Sequence, residues 1–233
     1  MRSRMASVKH TLAVMSGKGG VGKSLVTACL AQAFAARGLR VGGVDADVSG
    51  PCAPRMLGAA SGFGGTSTDG VQPAIGHGGV KVASMGLLIG AGGEPVDWKE
   101  PAPGTLRAAW RGAIELTALR ELIGDVAWGD LDILLFDLPP GTGDKDAALL
   151  GLLPTLGGAV FVTTPSPLVM DIVERSIAFA ARIGLRTIGV ISNLDGDIQS
   201  DGAMTPTSVL GLPLLGRLPH DPALGVMCDQ GQP

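Results

Sequence analysis

The sequence predicts an α/β fold: a doubly wound, mostly parallel sheet of about seven strands with helices on both faces. Three observations carry that prediction. Short apolar runs alternate with helical stretches along most of the chain. The first apolar run passes through a glycine-rich turn straight into a helix and then a second apolar run, the order of a βαβ unit. The length, 233 residues, suits one large domain, 1–233, and leaves little room for another.

Residues 11–15 form the first run and read as a buried strand. Residues 22–37 repeat apolar side chains at helical spacing (Leu25, Cys29, Ala33, Ala36), and Gly38 is a natural stop. Residues 39–44 are the next strand. A short helix is expected over 51–57, then a Gly-, Ser- and Thr-rich surface excursion over 58–79, with room for a hairpin. Further strands are expected at 80–85, 131–138, 158–163, 187–192 and 214–218, and helices at 106–123, 144–153 and 168–183. Residues 94–103, polar and Pro-containing, read as an exposed loop. The uncharged stretch 147–170 is interrupted by Pro154, Gly157, Gly158, Pro165 and Pro167, so it reads as helix end, turn, strand and loop rather than a membrane span.

Composition narrows the function classes. Apolar residues make up 45% of the chain and aromatics only 3%, so aliphatic side chains must fill the core. A net charge of −3 and scarce aromatics argue against a nucleic-acid surface. No apolar signal core follows the basic N-terminus, and no amphipathic helix for a membrane surface is expected over 223–233. Cys29, Cys52 and Cys228 are widely spaced, with no Cys-x-x-Cys, which fits a reducing, cytoplasmic setting.

The chemistry concentrates in Gly17, Lys18, Gly19, Gly20, Val21, Gly22, Lys23 and Ser24, which match G-x-x-x-x-G-K-[ST]. Glycines let successive backbone N–H groups turn around a β-phosphate, and the following helix aims its positive end at the same anion. Lys23 is expected to reach the β/γ-phosphates, and Ser24 to ligate Mg²⁺. Asp45 and Asp47 follow the second strand, at the carboxyl edge where ligands gather; the alternative for that stretch is a helix cap by Asp47 or Ser49. Asp137 ends the strand at 131–138 and reads as a second Mg²⁺ carboxylate. The Pro139–Asp144 stretch is stiff and suited to sensing a γ-phosphate. His10, His77 and His220 are isolated, and the three tryptophans read as packing residues.

Taken together, the phosphate loop with its extra Lys18, the stretches DADVSGP (45–51) and PRMLG (54–58), VKVASMG (80–86), WRG (110–112) and above all WGDLDILLFDLPPGTGD (128–144) resemble the Mrp/ApbC family of iron–sulfur carrier ATPases. That family sits within the MinD/ParA group of deviant P-loop ATPases, and the resemblance runs over nearly the whole chain. It implies a Mg²⁺-ATP-binding, slowly hydrolysing homodimeric switch that assists iron–sulfur cluster or other metallocentre assembly on a client protein. Lys18 would cross the dimer to the partner's nucleotide, Asp47 would help position the attacking water, and Asp45 and Asp137 would hold Mg²⁺ through water. Asn193 would read adenine, with Pro219 to Asp221 flanking the base; the guanine-reading Asn-Lys-x-Asp pattern is missing. Relatives that share a 4Fe-4S cluster between protomers use a Cys-x-x-Cys shortly after the Asn193 position. Here residues 195–204 hold no cysteine and the chain stops at Pro233, so the sequence reads as a cluster-less branch or a shortened one. A ParA/MinD-type spatial-organisation ATPase and a cluster-less ATP-gated scaffold are the alternatives.

Overall fold

Seven parallel strands and one antiparallel edge strand make the central sheet of the computed structural model, which describes residues 5–47, 50–59, 62–87, 106–141, 144–153, 156–196 and 210–232. The loop expected over 94–103, Ser49 and most of the cysteine-free stretch 195–204 lie outside the described residues.

The strands are β1 (Val8–Met15), β2 (Val41–Asp45), the hairpin pair β3 (Thr66–Ser67) and β4 (Gly70–Val71), β5 (Ala74–Ile75), β6 (Lys81–Ser84), β7 (Leu131–Asp137), β8 (Gly158–Thr163), β9 (Thr187–Ser192) and β10 (Leu214–Arg217). The helices are α1 (Lys23–Ala36), α2 (Ala53–Met56), α3 (Leu106–Asp125), α4 (Asp144–Leu152), α5 (Pro167–Arg182) and α6 (Pro222–Asp229). Sheet order is β10-β9-β8-β1-β7-β2-β6-β5, with β3 and β4 forming a separate antiparallel pair. β1 therefore lies between β7 and β8, in the middle of the sheet.

The central strands are covered on both faces, which is why they read as unbroken apolar runs. All residues of β2 and β8 are buried. With few aromatics, the core rests on valine, leucine and alanine around Trp128, Phe136 and Phe161, each fully enclosed. Trp128 Nε1 donates to the Ile123 carbonyl at 3.2 Å, and Lys81 Nζ donates to the Trp128 carbonyl at 2.6 Å, tying the end of α3 to β6. At the opposite edge from the expected site, Asp132 accepts from Arg40 and Lys9, which holds its carboxyl well below the usual range.

The structure adds two features to the sequence reading. The stretch after residue 222 forms a short helix that the sequence reading did not place: Asp221 Oδ1 accepts from Ala223 N at 2.9 Å and Pro222 occupies the first turn, a strong start signal. It was obscured by its eight residues and an internal Gly225, too little for a clear periodicity. This helix packs on α2, where Arg55 Nε donates to the Asp229 carbonyl at 2.6 Å and His77 Nε2 lies 2.7 Å from the Gly231 carbonyl. Secondly, the first turn of α2 is held by Asp45, which the cap alternative did not name: its Oδ2 accepts from Cys52 N at 2.9 Å and Ala53 N at 3.0 Å. Chain reversal after β2 brings that carboxylate back over the first turn.

Trp128→Ala removes the largest core side chain and should cost about 3–5 kcal/mol. Urea unfolding would show this as a lower midpoint at unchanged slope.

Candidate functional site

Strand register assembles the site. Asp45 on β2 sits beside Asp137 on β7 and beside Ser84 on β6, so three polar side chains line up along the carboxyl edge of the sheet. The Gly17–Ser24 loop leaves β1 at the same edge, because Val14 pairs with Asp137.

The loop's shape depends on glycine at two positions. Gly22 has φ 81°, and a Cβ there would lie 2.1 Å from Asn193 Nδ2. A Cβ on Gly17 would lie 2.8 Å from Ile172 of α5. Asn193 Nδ2 donates to the Val21 carbonyl at 2.9 Å, so the end of β9 props the loop from below. Ser16 Oγ donates to the Lys18 carbonyl at 3.1 Å and holds the loop's other side. α1 then starts at Lys23 with its N-terminus facing the loop, the arrangement that favours an anion.

Beneath the loop, Lys23 Nζ donates to Asp137 Oδ1, and both side chains are almost wholly buried. Thr27 Oγ1 donates to the same oxygen at 3.1 Å. Asp137 Oδ2 is buried and accepts no hydrogen bond from the described residues. Asp45 is saturated: Asp47 N donates to Oδ1 at 3.2 Å, and Ser84 Oγ joins the two helix N–H groups on Oδ2 at 3.3 Å. Even so, its pKa is pushed up to about 6, first by burial and then by the neighbouring Asp137 charge. Among the described residues, these two buried carboxylates face one buried ammonium. Ser24, Asp45 and Asp137 are the oxygen-bearing residues here that could hold a divalent cation.

The other expected residues fall into place around this centre. Lys18 is exposed and its ammonium has no partner among the described residues. Asp47 is half-buried and its Oδ1 accepts from Gly50 N at 3.2 Å. Gly19 and Gly20 are exposed and Val21 is buried. Asn193 is 2% exposed and committed through its amide N–H to the loop. Pro219 lies between β10 and α6, and Asp221 caps α6. Residues that sequence reasoning did not place at this site are Thr27, Ser84 and Cys52. The Cys52 thiol pairs with the Ser24 hydroxyl, and burial raises its pKa. Thr27 has a sequence signal, since it lies four residues after Lys23 on one helix face; Ser84 and Cys52 have none without the register. Cys228 is buried and within electrostatic reach of half-buried Cys29. Among the described residues, no group of three or more His, Cys, Asp or Glu side chains is placed to hold a metal, and no helix is long and apolar enough to cross a membrane.

Fold and site together define a P-loop NTPase of the ParA/MinD class. Within that class the chain belongs to the ParA family, in the group described as NUBPL iron-transfer P-loop NTPase, whose model matches residues 7–233. It is 37% identical to an iron-sulfur cluster carrier protein of Saccharolobus solfataricus, over all of this chain and 78% of that one. It is 36% identical to one of Methanocaldococcus jannaschii, over all of this chain and 80% of that one. Among solved structures, a nucleotide-binding protein from Archaeoglobus fulgidus in complex with ADP superposes with a TM-score of 0.77 at 31% identity, covering 99% of this chain and 90% of that one. MinD of Pyrococcus horikoshii, complexed with Mg-ADP, shares the fold with a TM-score of 0.68 at 20% identity, covering 97% of this chain and 87% of that one.

Two outcomes follow. Gly22→Ala should cost about 1–3 kcal/mol through backbone strain and the Asn193 clash. Gly20→Ala, at the same φ but with open space around it, should cost about 1–2 kcal/mol; thermal unfolding of both compares them. Between pH about 4 and about 6, folded ligand-free protein keeps a proton on Asp45 that the unfolded chain has released. Stability should therefore fall by about 2–3 kcal/mol as pH rises through that window and level off above it. Asp45→Asn should flatten the slope in urea titrations.

Proposed function

We propose that this chain binds Mg²⁺-ATP at Gly17–Ser24, hydrolyses it slowly as a homodimer, and uses the cycle to assist iron–sulfur cluster or other metallocentre assembly on client proteins. The observation that carries the reading is the buried Lys23–Asp137 pair under a glycine-shaped loop, with a second carboxylate beside it. The relatives' description as iron–sulfur cluster carriers supports the cargo. Three free cysteines are consistent with a cytoplasmic setting.

The residues divide the work. Lys23 exchanges Asp137 for the β/γ-phosphates when nucleotide enters. Backbone N–H groups of Gly19 to Ser24 close around the phosphates. Ser24, with Asp45 and Asp137 behind it, would hold Mg²⁺, which supplies charge neutralisation along the phosphate chain when bound. Asp47 orients the attacking water, and exposed Lys18 supplies positive charge to the partner protomer's transition state. Asn193 and the segment from Pro219 to Asp221 form the base end of the site. The turn after Asp137 responds to the γ-phosphate, so that chemistry resets conformation.

A cluster-less, ATP-gated scaffold is the second reading, favoured by one observation: Cys228 is buried rather than presented for a cluster shared between protomers. Iron and labile sulfide after anaerobic reconstitution separate the two. A stoichiometric cluster supports a carrier; ATP turnover with no cluster supports the scaffold.

Lys23→Ala should abolish ATP binding in calorimetry. It should also destabilise the ligand-free protein by about 3–5 kcal/mol, since Asp137 is left buried and unpaired. Lys18→Ala should keep ATP affinity and lose phosphate release; normal turnover in that variant would remove the role across the dimer.

A further inference from the structure

A cavity of about 240 Å³ lies between the last turns of α3 and the excursion that carries β3 and β4. Phe63 and Val71 line it from the excursion, Met85 from the turn after β6, and Ala118, Leu122 and Val126 from α3 and the residue beyond it. None of these residues belongs to the nucleotide site described above. Backbone hydrogen bonds fix the walls: Ala127 N donates to the Val71 carbonyl at 2.8 Å, and Gly64 N to the Gln72 carbonyl at 3.0 Å. The cavity is therefore preformed. Its size falls below the range of about 300–1,000 Å³ that drug-sized ligands occupy, and suits one large apolar side chain.

Its mouth is acidic. Ala118, Glu121, Leu122 and Asp125 recur at the spacing of one helix face, so the stripe that supplies apolar wall also brings two carboxylates to the rim. Both acidic residues are exposed. They stand four residues apart, close enough to repel, in the stretch of α3 where the helix dipole is negative. The last turn of α3 holds no basic residue, and no basic side chain among the described residues lines the cavity. Glu121 makes no hydrogen bond or ion pair among the described residues. An occupant with positive charge next to its apolar group therefore meets a favourable potential at the rim and burial within.

We propose that this cavity docks an exposed segment of a partner protein: one large apolar side chain enters it, and a Lys or Arg beside that side chain pairs with Glu121 and Asp125. Apolar burial supplies the affinity, and the rim carboxylates select against acidic segments. The surface shares no residue with the Gly17–Ser24 loop, so the inference does not rest on the nucleotide reading.

The test is a methyl NMR titration of the full chain with three acetylated pentapeptides, Gly-Lys-Phe-Lys-Gly, Gly-Lys-Gly-Lys-Gly and Gly-Glu-Phe-Glu-Gly. The first should shift the methyl signals of Val71, Met85, Leu122 and Val126. Loss of the Phe side chain should weaken binding about tenfold or more, and Glu in place of Lys about threefold or more. Glu121→Gln should weaken binding of the first peptide about two- to fivefold. Ala118→Leu, which fills the cavity, should weaken it about tenfold or more, and Glu174→Gln, exposed on α5, should leave it unchanged. Should Ala118→Leu fail to fold, the exposed Glu121→Gln keeps the comparison. No shift at these methyls, equal binding of the three peptides, or binding unchanged in both cavity variants overturns the docking. Contacts in the free protein from these methyls to residues 88–105 would show the chain filling its own cavity, and shifts that grow with protein concentration alone would give the face to a second copy; either result overturns it too.

Discussion

The ion pair between Lys23 and Asp137 is the interaction on which the site depends. It joins the first residue of α1 to the last residue of β7 and lies almost wholly out of solvent. Such a pair adds little net stability, because desolvation offsets most of its attraction, yet breaking it from one side is expensive. Its value is positional. The lysine is held under the loop where phosphate oxygens would sit, and the carboxylate is held where a cation would sit. Each group is held in place by the other.

Around that pair the sheet edge carries a second carboxylate. Asp45 stands beside Asp137 in register and serves two structural duties, capping α2 and anchoring the turn at Asp47. Its raised pKa reflects first its burial and then the neighbouring Asp137 charge. Ser84 extends the row to β6: its Oγ donates to Asp45 Oδ2 at 3.3 Å and accepts from Gly86 N at 3.0 Å.

Much of this was legible in sequence. The strands were readable because they are buried on both faces and therefore uniformly apolar. Asp137 was readable because an apolar run ends on it, and the phosphate loop because its chemistry tolerates few residue types. Harder features depend on register. Nothing local marks Ser84 or Cys52, and the prop from Asn193 to Val21 spans most of the chain. Asp45 was read as a ligand-edge carboxylate, with a helix cap by Asp47 or Ser49 as the alternative for the stretch. Only the path of the chain after β2 shows that Asp45 does the capping. The last helix escaped notice because eight residues with a glycine carry too little periodicity, although its Asp-Pro start was present.

The central claim is that Asp137 holds Lys23 in reserve for the phosphates and is itself reserved for the cation. ATP affinity measured with and without Mg²⁺, in wild type and Asp137→Asn, tests it most directly. The account predicts that Mg²⁺ strengthens ATP binding to wild type and has little effect on the variant. Without Mg²⁺, the variant should bind ATP more tightly than wild type, because Lys23 no longer has to be drawn from a buried carboxylate. An Asp137→Asn protein that keeps the full Mg²⁺ dependence, or binds Mg²⁺-free ATP more weakly than wild type, would contradict it.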